Sequence, residues 1–143
     1  MLFNFNWIIK NKLSGSNLPG RSLSIKLIEC YYISKDLIEL KEKGITTIFS
    51  VIDELPKEFK DQCNVLSLES FHYPIGDYNI PDNLDKFNIL IDNVVNMILC
   101  GKVINVHCSA GIGRTGLTLA CIVGKLMSLN SNDSINFIRK RVN

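Results

Sequence analysis

A cysteine and an arginine lie six positions apart in a run of glycines and other small residues. The run extends from Val106 to Gly116, with Cys108 near its start and Arg114 near its end. A cysteine thiol ordinarily ionises at about pH 8.5, but a cation or a helix N-terminus lowers its pKa and makes the thiolate available as a nucleophile. The planar guanidinium of Arg114 can bind two phosphate oxygens at once. Together the two residues predict phosphoryl transfer through sulfur.

The segments on either side of this run predict a strand, a loop and a helix. The mostly apolar residues 102–106 predict a strand, and residues 117–129 predict the following helix. In a loop so placed, the glycines let backbone amides face inward, and the helix N-terminus attracts an anion. We therefore expect the phosphate to be bound by Ser109, Ala110, Gly111, Ile112, Gly113 and Arg114.

Two neighbours of this loop have predicted supporting roles. The hydroxyl of Thr115 is placed to donate to the Cys108 sulfur and so make it a better leaving group. His107 is predicted to be a buried, hydrogen-bonded imidazole that shapes the loop and tunes the thiolate, rather than a general base.

Strand-like and helix-like segments alternate along the rest of the chain. Residues 7–13, 45–52 and 71–75 predict strands, and the turn-rich residues 14–20 are expected to end the first of them. Ser34 is expected to cap a helix that ends at Gly44.

Pro81 and Asp82 are expected to open a long helix that Gly101 closes, and Ser131 or Asn132 to cap a final helix. The apolar face of the long helix is predicted to comprise Leu84, Phe87, Ile91, Val94 and Ile98. The alternation predicts one α/β domain over residues 1–143, with a mostly parallel central sheet flanked by helices. Cys108 then falls beyond the carboxyl end of a strand, where ligands bind in such sheets.

Composition excludes several classes of protein. The 143 residues carry a formal net charge of +2, too small to predict binding to nucleic acid or to an anionic membrane. The five cysteines are an odd number without a CxxC pair, so we expect a reducing compartment and neither a metal nor a cofactor. The N-terminus lacks the pattern of a signal peptide, and no apolar run is long enough to span a membrane. We therefore expect a cytoplasmic monomer.

The run from His107 to Gly116 resembles the signature loop of the cysteine-dependent protein tyrosine phosphatases. It contains the family pattern of His-Cys, five residues, Arg and then Ser or Thr. The chain is similar to the small atypical dual-specificity phosphatases, because it is short and lacks an evident phosphotyrosine-recognition segment. Residues 6–8, 13–15 and 44–48 are also similar to that group. Related enzymes usually continue beyond the final helix with a segment that helps position water, so the C-terminal end is expected to be abbreviated.

The resemblance implies a general acid on a separate loop, because an unprotonated leaving oxygen departs poorly. Asp77 lies a few residues before a proline-started helix and matches this requirement. Asp82 is the competitor, with a structural explanation as the N-cap or first-turn carboxylate of the long helix. Asp53 is interpreted as a solvated loop carboxylate.

The function predicted from these residues is hydrolysis of phosphotyrosine and of phosphoserine or phosphothreonine in proteins through a cysteinyl-phosphate intermediate. Loop positions 109–113 contain no lysine, which disfavours the alternatives of a phosphoinositide or an RNA 5′-phosphate substrate. Two further alternatives are a pseudophosphatase that binds phosphate without hydrolysis and a rhodanese-like sulfur transferase. A second cysteine that traps oxidised Cys108 is also left open. Cys121 and Cys100 are expected to pack in the core.

Overall fold

The computed structural model describes residues 2–21 and 30–142, and within them a five-stranded sheet lies between two layers of helices. In chain order the elements are β1 (Asn6–Ile9), β2 (Leu13–Ser16), α1 (Cys30–Glu42), β3 (Thr47–Ser50), α2 (Phe59–Val65), β4 (Glu69–His72), α3 (Leu84–Leu99), β5 (Ile104–His107), α4 (Gly113–Met127) and α5 (Ser131–Arg139). The strand order is β1-β2-β5-β3-β4. β1 is antiparallel to β2, and the other three pairs are parallel. The predicted α/β fold with a mostly parallel sheet is confirmed.

Each face of the sheet buries its own apolar cluster. Neighbouring strand residues alternate between the clusters: Ile48 of β3 lies in one and Phe49 in the other, as the two-residue period of a strand requires. The first cluster contains Phe87, Ile91, Val94 and Ile98 of α3 together with apolar residues of α4 and α5. The second contains residues of α1 and α2. Of the predicted apolar face of α3, the first residue, Leu84, is exposed.

Parallel strands bring four loops to one edge of the sheet. β5 is central and wholly buried, with β2 on one side and β3, followed by β4, on the other. The residues after β5 therefore lie between residues 17–21, which follow β2, and the segments 51–53 and 73–77, which follow β3 and β4. This is the edge at which parallel sheets bind ligands, and Cys108 lies there.

The prediction of one strand over residues 7–13 was wrong. The chain forms a hairpin instead: β1 ends at Ile9, and β2 runs through the segment that was predicted to be a turn. The small polar residues of β2 can be buried because their polar groups form hydrogen bonds within the fold. Ser14 Oγ lies 2.9 Å from Asn105 Oδ1 and 3.1 Å from the Ile104 carbonyl oxygen. Composition therefore indicated a turn where tertiary packing forms a strand.

Several helix boundaries also differ from prediction. Ser34 lies inside α1, which already includes Cys30, so Ser34 is not its N-cap. α3 is capped by Asn83, whose side chain accepts from the Lys86 amide, and not by Asp82. α5 is capped by Asn130, which accepts from the Asp133 amide at 2.8 Å, rather than by Ser131 or Asn132. In both α3 and α5 the capping side chain is an asparagine next to a predicted cap, one residue after Asp82 and one residue before Ser131.

The stops at Gly44 and Gly101 are confirmed. Both glycines adopt left-handed backbone angles, with φ of 96° and 93°, and follow the ends of α1 and α3. The short helix α2 was not predicted, because its seven residues give too little periodicity to recognise. No helix in the described part of the chain is long and apolar enough to cross a membrane.

Candidate active site

The loop after β5 is folded against the end of β2, and Gly111 makes this possible. Gly111 has φ of +83°, and a Cβ atom on it would lie 2.5 Å from the backbone carbonyl of Ser16. A side chain at this position would therefore both strain the backbone and displace the loop. Gly113 has no such constraint, and it begins α4, four residues before the predicted start at Leu117. Of the two glycines predicted to curl the loop, Gly111 is the one in a left-handed conformation.

Cys108 lies at the base of this loop, where its residue is 3% exposed. Burial raises the pKa of the Cys108 thiol, but hydrogen bonds from the Thr115 hydroxyl and from the amides of Thr115, Gly111 and Ile112 outweigh it. The net pKa lies below the ordinary value of a thiol, because these donors stabilise the thiolate more than burial penalises it. The structure therefore places a thiolate-stabilising set of donors at the predicted nucleophile.

The Thr115 hydroxyl faces this sulfur. Thr115 is 1% exposed, and its Oγ1 has no hydrogen-bond partner at ordinary distance among the described residues. A buried hydroxyl without such a partner is costly unless another acceptor uses it. The Cys108 thiolate is the acceptor that this hydroxyl would serve, and its interaction with Thr115 lowers the thiol pKa. The predicted role of Thr115 as a donor to the sulfur stays a prediction.

Arg114 is buried in the first turn of α4, and its guanidinium meets three oxygens. Nη1 donates to the Ile75 carbonyl at 2.8 Å and lies 3.4 Å from Asp53 Oδ1. Nη2 lies 3.7 Å from Asp77 Oδ1. The arginine thus connects the loop after β5 to the segments that follow β3 and β4.

The three candidate carboxylates differ in their relation to Arg114. Asp77, the predicted general acid, is two-thirds exposed and pairs with this arginine. Asp53 is exposed, as predicted, but its contact with Arg114 was not foreseen. Asp82 is exposed, lies outside α3, and has no ion pair with Arg114 among the described contacts. Of the two candidates for the acid, Asp77 is the one that the structure brings to the loop.

His107 is a wholly buried, neutral imidazole. Its Nδ1 lies 2.9 Å from the Cys108 carbonyl oxygen, which can only accept, so Nδ1 carries the proton. Nε2 then accepts from the Ser50 hydroxyl at 2.6 Å. Burial lowers the pKa of His107 to about 4, and the charges of His72 and Arg114 contribute in the same direction. The predicted role as a loop-shaping imidazole fits this geometry.

The remaining described cysteines lie in different surroundings. Cys121 is half-buried on α4 against the core, as predicted, whereas Cys100 is exposed after α3, so the prediction of core packing was wrong for it. Cys63 is buried in α2, and burial raises its pKa to about 12. The side chain of Cys30 lies outside the described residues. A second cysteine that traps oxidised Cys108 stays a hypothesis.

The segments around β1 and β2 contribute contacts that sequence reasoning missed. The Leu18 amide donates to the Ser109 carbonyl at 2.9 Å, and Asn4 Nδ2 donates to the Ala110 carbonyl at 2.6 Å. Arg21 Nη1 donates to Ser109 Oγ at 2.8 Å. The parallel pairing of β2 with β5 was the missing signal, because it brings residues 17–21 beside the loop. In the described ranges, no group of three or more His, Cys, Asp or Glu residues is arranged to hold a metal ion.

Comparisons with known proteins agree with this geometry. Residues 25–125 match the family described as the DSP-PTPase phosphatase of polymorphic toxin systems. A protein of Invertebrate iridescent virus 3 designated a tyrosine phosphatase is 30% identical over 104 residues, which cover 71% of this chain and 43% of that protein. Dual specificity protein phosphatase 1-B of Xenopus laevis is 26% identical over 107 residues, which cover 75% of this chain and 27% of that protein. The match thus spans less than half the length of either relative.

A solved structure shares the fold at lower sequence identity. The kinase associated phosphatase, crystallised with its catalytic site cysteine replaced by serine, superposes with a TM-score of 0.80 at 20% identity. The match covers 99% of this chain and 83% of that one. The five-stranded sheet and its helical layers are therefore those of a phosphatase fold.

Proposed function

The chain belongs to the DSP-PTPase phosphatase family, and from this premise we propose that it hydrolyses phosphate monoesters on tyrosine and on serine or threonine side chains of proteins. The observation that carries the proposal is the Cys108 thiol, which is buried, has a lowered pKa and accepts hydrogen bonds from the loop amides. The buried guanidinium of Arg114 lies in the first turn of α4, directly after this loop. A nucleophile and an anion-binding group so joined suit phosphoryl transfer.

In the first step the Cys108 thiolate attacks phosphorus. A sulfur–phosphorus bond forms, and the bond from phosphorus to the ester oxygen breaks with its electron pair left on that oxygen. The Asp77 carboxyl group gives its proton to this oxygen, which departs as the alcohol or phenol. The pairing of Asp77 with Arg114 supports this assignment, because it keeps the acid near the group that binds the phosphate.

In the second step water attacks the cysteinyl phosphate. The Asp77 carboxylate takes a proton from the water, an oxygen–phosphorus bond forms, and the sulfur–phosphorus bond breaks to release inorganic phosphate. The Thr115 hydroxyl stabilises the departing Cys108 thiolate. Arg114 and the amides of residues 109–114 stabilise the charge that moves onto the phosphate oxygens in both steps.

An open site supports dual specificity. Asp77 is two-thirds exposed, Tyr78 is fully exposed, and Ile112 at the tip of the loop is 69% exposed. Because these residues leave the site open, a short phosphoserine or phosphothreonine side chain can bring its phosphate to Cys108, as the longer phosphotyrosine can. The monomeric state and the cytoplasmic compartment predicted from the sequence stay predictions.

The proposal is tested by turnover of para-nitrophenyl phosphate by the wild type and by Cys108→Ser, with release of phosphate from phosphotyrosine and phosphothreonine peptides measured in parallel. We expect turnover by the wild type on all three substrates and none by the variant. Equal turnover by wild type and variant would contradict the mechanism. Binding of phosphopeptides without turnover would indicate a pseudophosphatase, and thiosulfate:cyanide activity would indicate a sulfur transferase.

The same assay compares substrate classes. Soluble short-chain phosphoinositides and a 5′-phosphorylated RNA oligonucleotide are offered at the same concentration as the peptides. A kcat/KM on either that exceeds the value on both peptides would replace the protein substrate in this proposal.

A further inference from the structure

Arg21 is a positive charge held at the rim of the phosphate-binding loop. Its Nη1 donates to Ser109 Oγ at 2.8 Å, and its backbone amide donates to the Leu18 carbonyl at 3.1 Å. Its guanidinium carbon lies 5.9 Å from the centre of the Phe3 ring. The side chain is half-buried, so these contacts fix the position of its charge.

The residues next to Arg21 are also connected to the loop by hydrogen bonds. Asn17 Oδ1 accepts from the amides of Phe3, at 2.8 Å, and Asn4, at 3.2 Å. Asn4 in turn donates to Ala110 in the loop. We call Phe3, Arg21 and Ser109 the arginine rim. Arg21 donates directly to Ser109, and Phe3 shares its acceptor Asn17 with Asn4, which donates to Ala110, so the rim keeps its place relative to the loop.

The charge of Arg21 is not neutralised by a carboxylate in the described residues, where the ion pairs of the loop involve Arg114. A guanidinium has five N–H donors, and one of them is used in the bond to Ser109 Oγ. Charged donors held in place beside an anion-binding loop favour a second anion at that point.

The two sides of the loop therefore carry opposite charge. On the side of β3 and β4, Asp53 and Asp77 present two exposed carboxylates. On the side of β2, Arg21 presents a cation. An acidic group next to the phosphorylated residue would meet Asp53 and Asp77 on the first side and the cation of Arg21 on the second. The asymmetry would thus fix the direction in which such a peptide crosses the site.

From this geometry we infer that Arg21 selects phosphoprotein substrates that carry an acidic side chain beside the phosphorylated residue. The inference rests on the proposed function, since it names a substrate class for the same site. Arg21 binds the acidic group as a specificity residue and takes no part in the chemical steps.

The test uses phosphotyrosine peptides that are identical except for one position. At each position from three before to three after the phosphotyrosine, a glutamine is replaced in turn by glutamate, and kcat/KM is measured for every peptide. The proteins compared are the wild type, Arg21→Ala, Arg21→Lys and Lys12→Ala. Lys12 precedes β2 at the opposite edge of the sheet, so its variant removes one positive charge far from the loop.

We expect the wild type to prefer glutamate at one or two positions on one side of the phosphotyrosine by about two- to fivefold, as a charge-assisted contact at a partly exposed site allows. Arg21→Ala should lose this preference and Arg21→Lys should keep part of it, while Lys12→Ala should match the wild type. High salt should weaken the preference, because the contact is partly exposed to solvent.

Para-nitrophenyl phosphate turnover by the same proteins separates two kinds of failure. If the wild type does not turn it over, the proposed function fails and this inference fails with it. If the wild type turns it over but shows no preference for glutamate, or if Arg21→Ala keeps the preference, the inference alone is overturned. If Arg21→Ala lowers kcat/KM on soluble phosphoinositides but on none of the peptides, the choice of a protein substrate is overturned.

Discussion

At the scale of single residues, the reactivity of Cys108 depends on how many donors face its sulfur. Burial alone would keep the thiol protonated, as it does for Cys63, whose pKa burial raises to about 12. Cys108 is also buried, yet its pKa is lowered because four hydrogen bonds from the loop and Thr115 act against burial. The contrast between two buried cysteines in one chain isolates the contribution of these donors.

Thr115 offers a matched test of that contribution. Thr115→Val keeps the shape of the side chain but removes the hydroxyl, so the pKa of Cys108 should rise and its alkylation by iodoacetamide should require a higher pH. Thr115→Ser keeps the hydroxyl and should leave the pH profile close to that of the wild type. Rapid-mixing kinetics with para-nitrophenyl phosphate should also show slower breakdown of the intermediate in the valine variant. Unshifted alkylation profiles in both variants would contradict the role of the hydroxyl.

The assignment of the acid predicts a dependence on the leaving group. Asp77→Asn should lower kcat on a phosphotyrosine peptide by about 10²- to 10⁴-fold, the usual range for loss of a general acid. It should lower kcat less on para-nitrophenyl phosphate, whose leaving group needs less help from a proton.

Asp53→Asn and Asp82→Asn are the controls for this test. Asp53 contacts Arg114, so its variant should lower kcat/KM modestly and by the same factor on both substrates. Asp82→Asn should change kcat/KM on neither substrate, since Asp82 is not among the described contacts of Arg114. If Asp53→Asn or Asp82→Asn shows the dependence on the leaving group and Asp77→Asn does not, the acid is misassigned.

At the scale of elements, the loop keeps its shape because β2 and β5 pair side by side. Gly111 lies against the backbone of Ser16 at the end of β2, and Leu18 and Asn4 bind the carbonyls of Ser109 and Ala110. The loop thus rests on the hairpin of β1 and β2.

Gly111 and Gly113 give a matched pair of variants for this contact. Gly111→Ala should lower the free energy of unfolding by about 1–3 kcal/mol from backbone strain and should also displace the loop and lower kcat. Gly113→Ala should change the free energy of unfolding by less than about 1 kcal/mol, because its position is open and helical. Urea unfolding with parallel kinetics measures both effects. Equal losses in the two variants would contradict the importance of the contact with Ser16.

Sequence reasoning reached the elements that local pattern determines. The period of α3, the strand before Cys108 and the glycine stops at Gly44 and Gly101 depend on neighbouring residues, so the sequence predicts them. β2 could not be predicted, because its small polar residues form a strand only where Asn105 and the Ile104 carbonyl satisfy them.

The same limit applies to the candidate site. The loop residues, Thr115 and Asp77 are recognisable from spacing and family resemblance. The contacts of Arg114 with Asp53 and of Arg21 with Ser109 join residues that lie 61 and 88 positions apart. Such contacts depend on strand order, which the sequence pattern alone did not specify.

At the scale of the whole molecule, one buried imidazole connects the site to stability. His107 is wholly buried, with Ser50 of β3 and the Cys108 carbonyl as its partners. Its pKa is about 4 in the folded protein, against an ordinary value of 6.5. Between these values the unfolded chain binds a proton that the folded chain does not, so stability rises with pH in this window and falls as the pH is lowered.

We therefore expect the free energy of unfolding to fall as the pH is lowered from 6.5 towards 4, with a slope from His107 that approaches about 1.4 kcal/mol per pH unit. Urea unfolding at a series of pH values measures the slope, and NMR of the imidazole carbons assigns it. His72→Gln should retain this slope. Protonation of His107 near pH 6.5 in the folded protein would contradict the description of the ring as buried and neutral.

The central claim for the whole molecule is that phosphate passes through the sulfur of Cys108. The most direct test is rapid quenching of the enzyme during turnover of para-nitrophenyl phosphate, followed by mass spectrometry of its peptides. The Asp77→Asn variant should accumulate the cysteinyl phosphate. Para-nitrophenol leaves with little help from an acid, so the substitution slows breakdown of the intermediate more than its formation. We expect a phosphoryl group on the peptide that contains Cys108, and none in Cys108→Ser. Full turnover with that peptide unmodified at every quench time, or with the phosphoryl group on another residue, would contradict it.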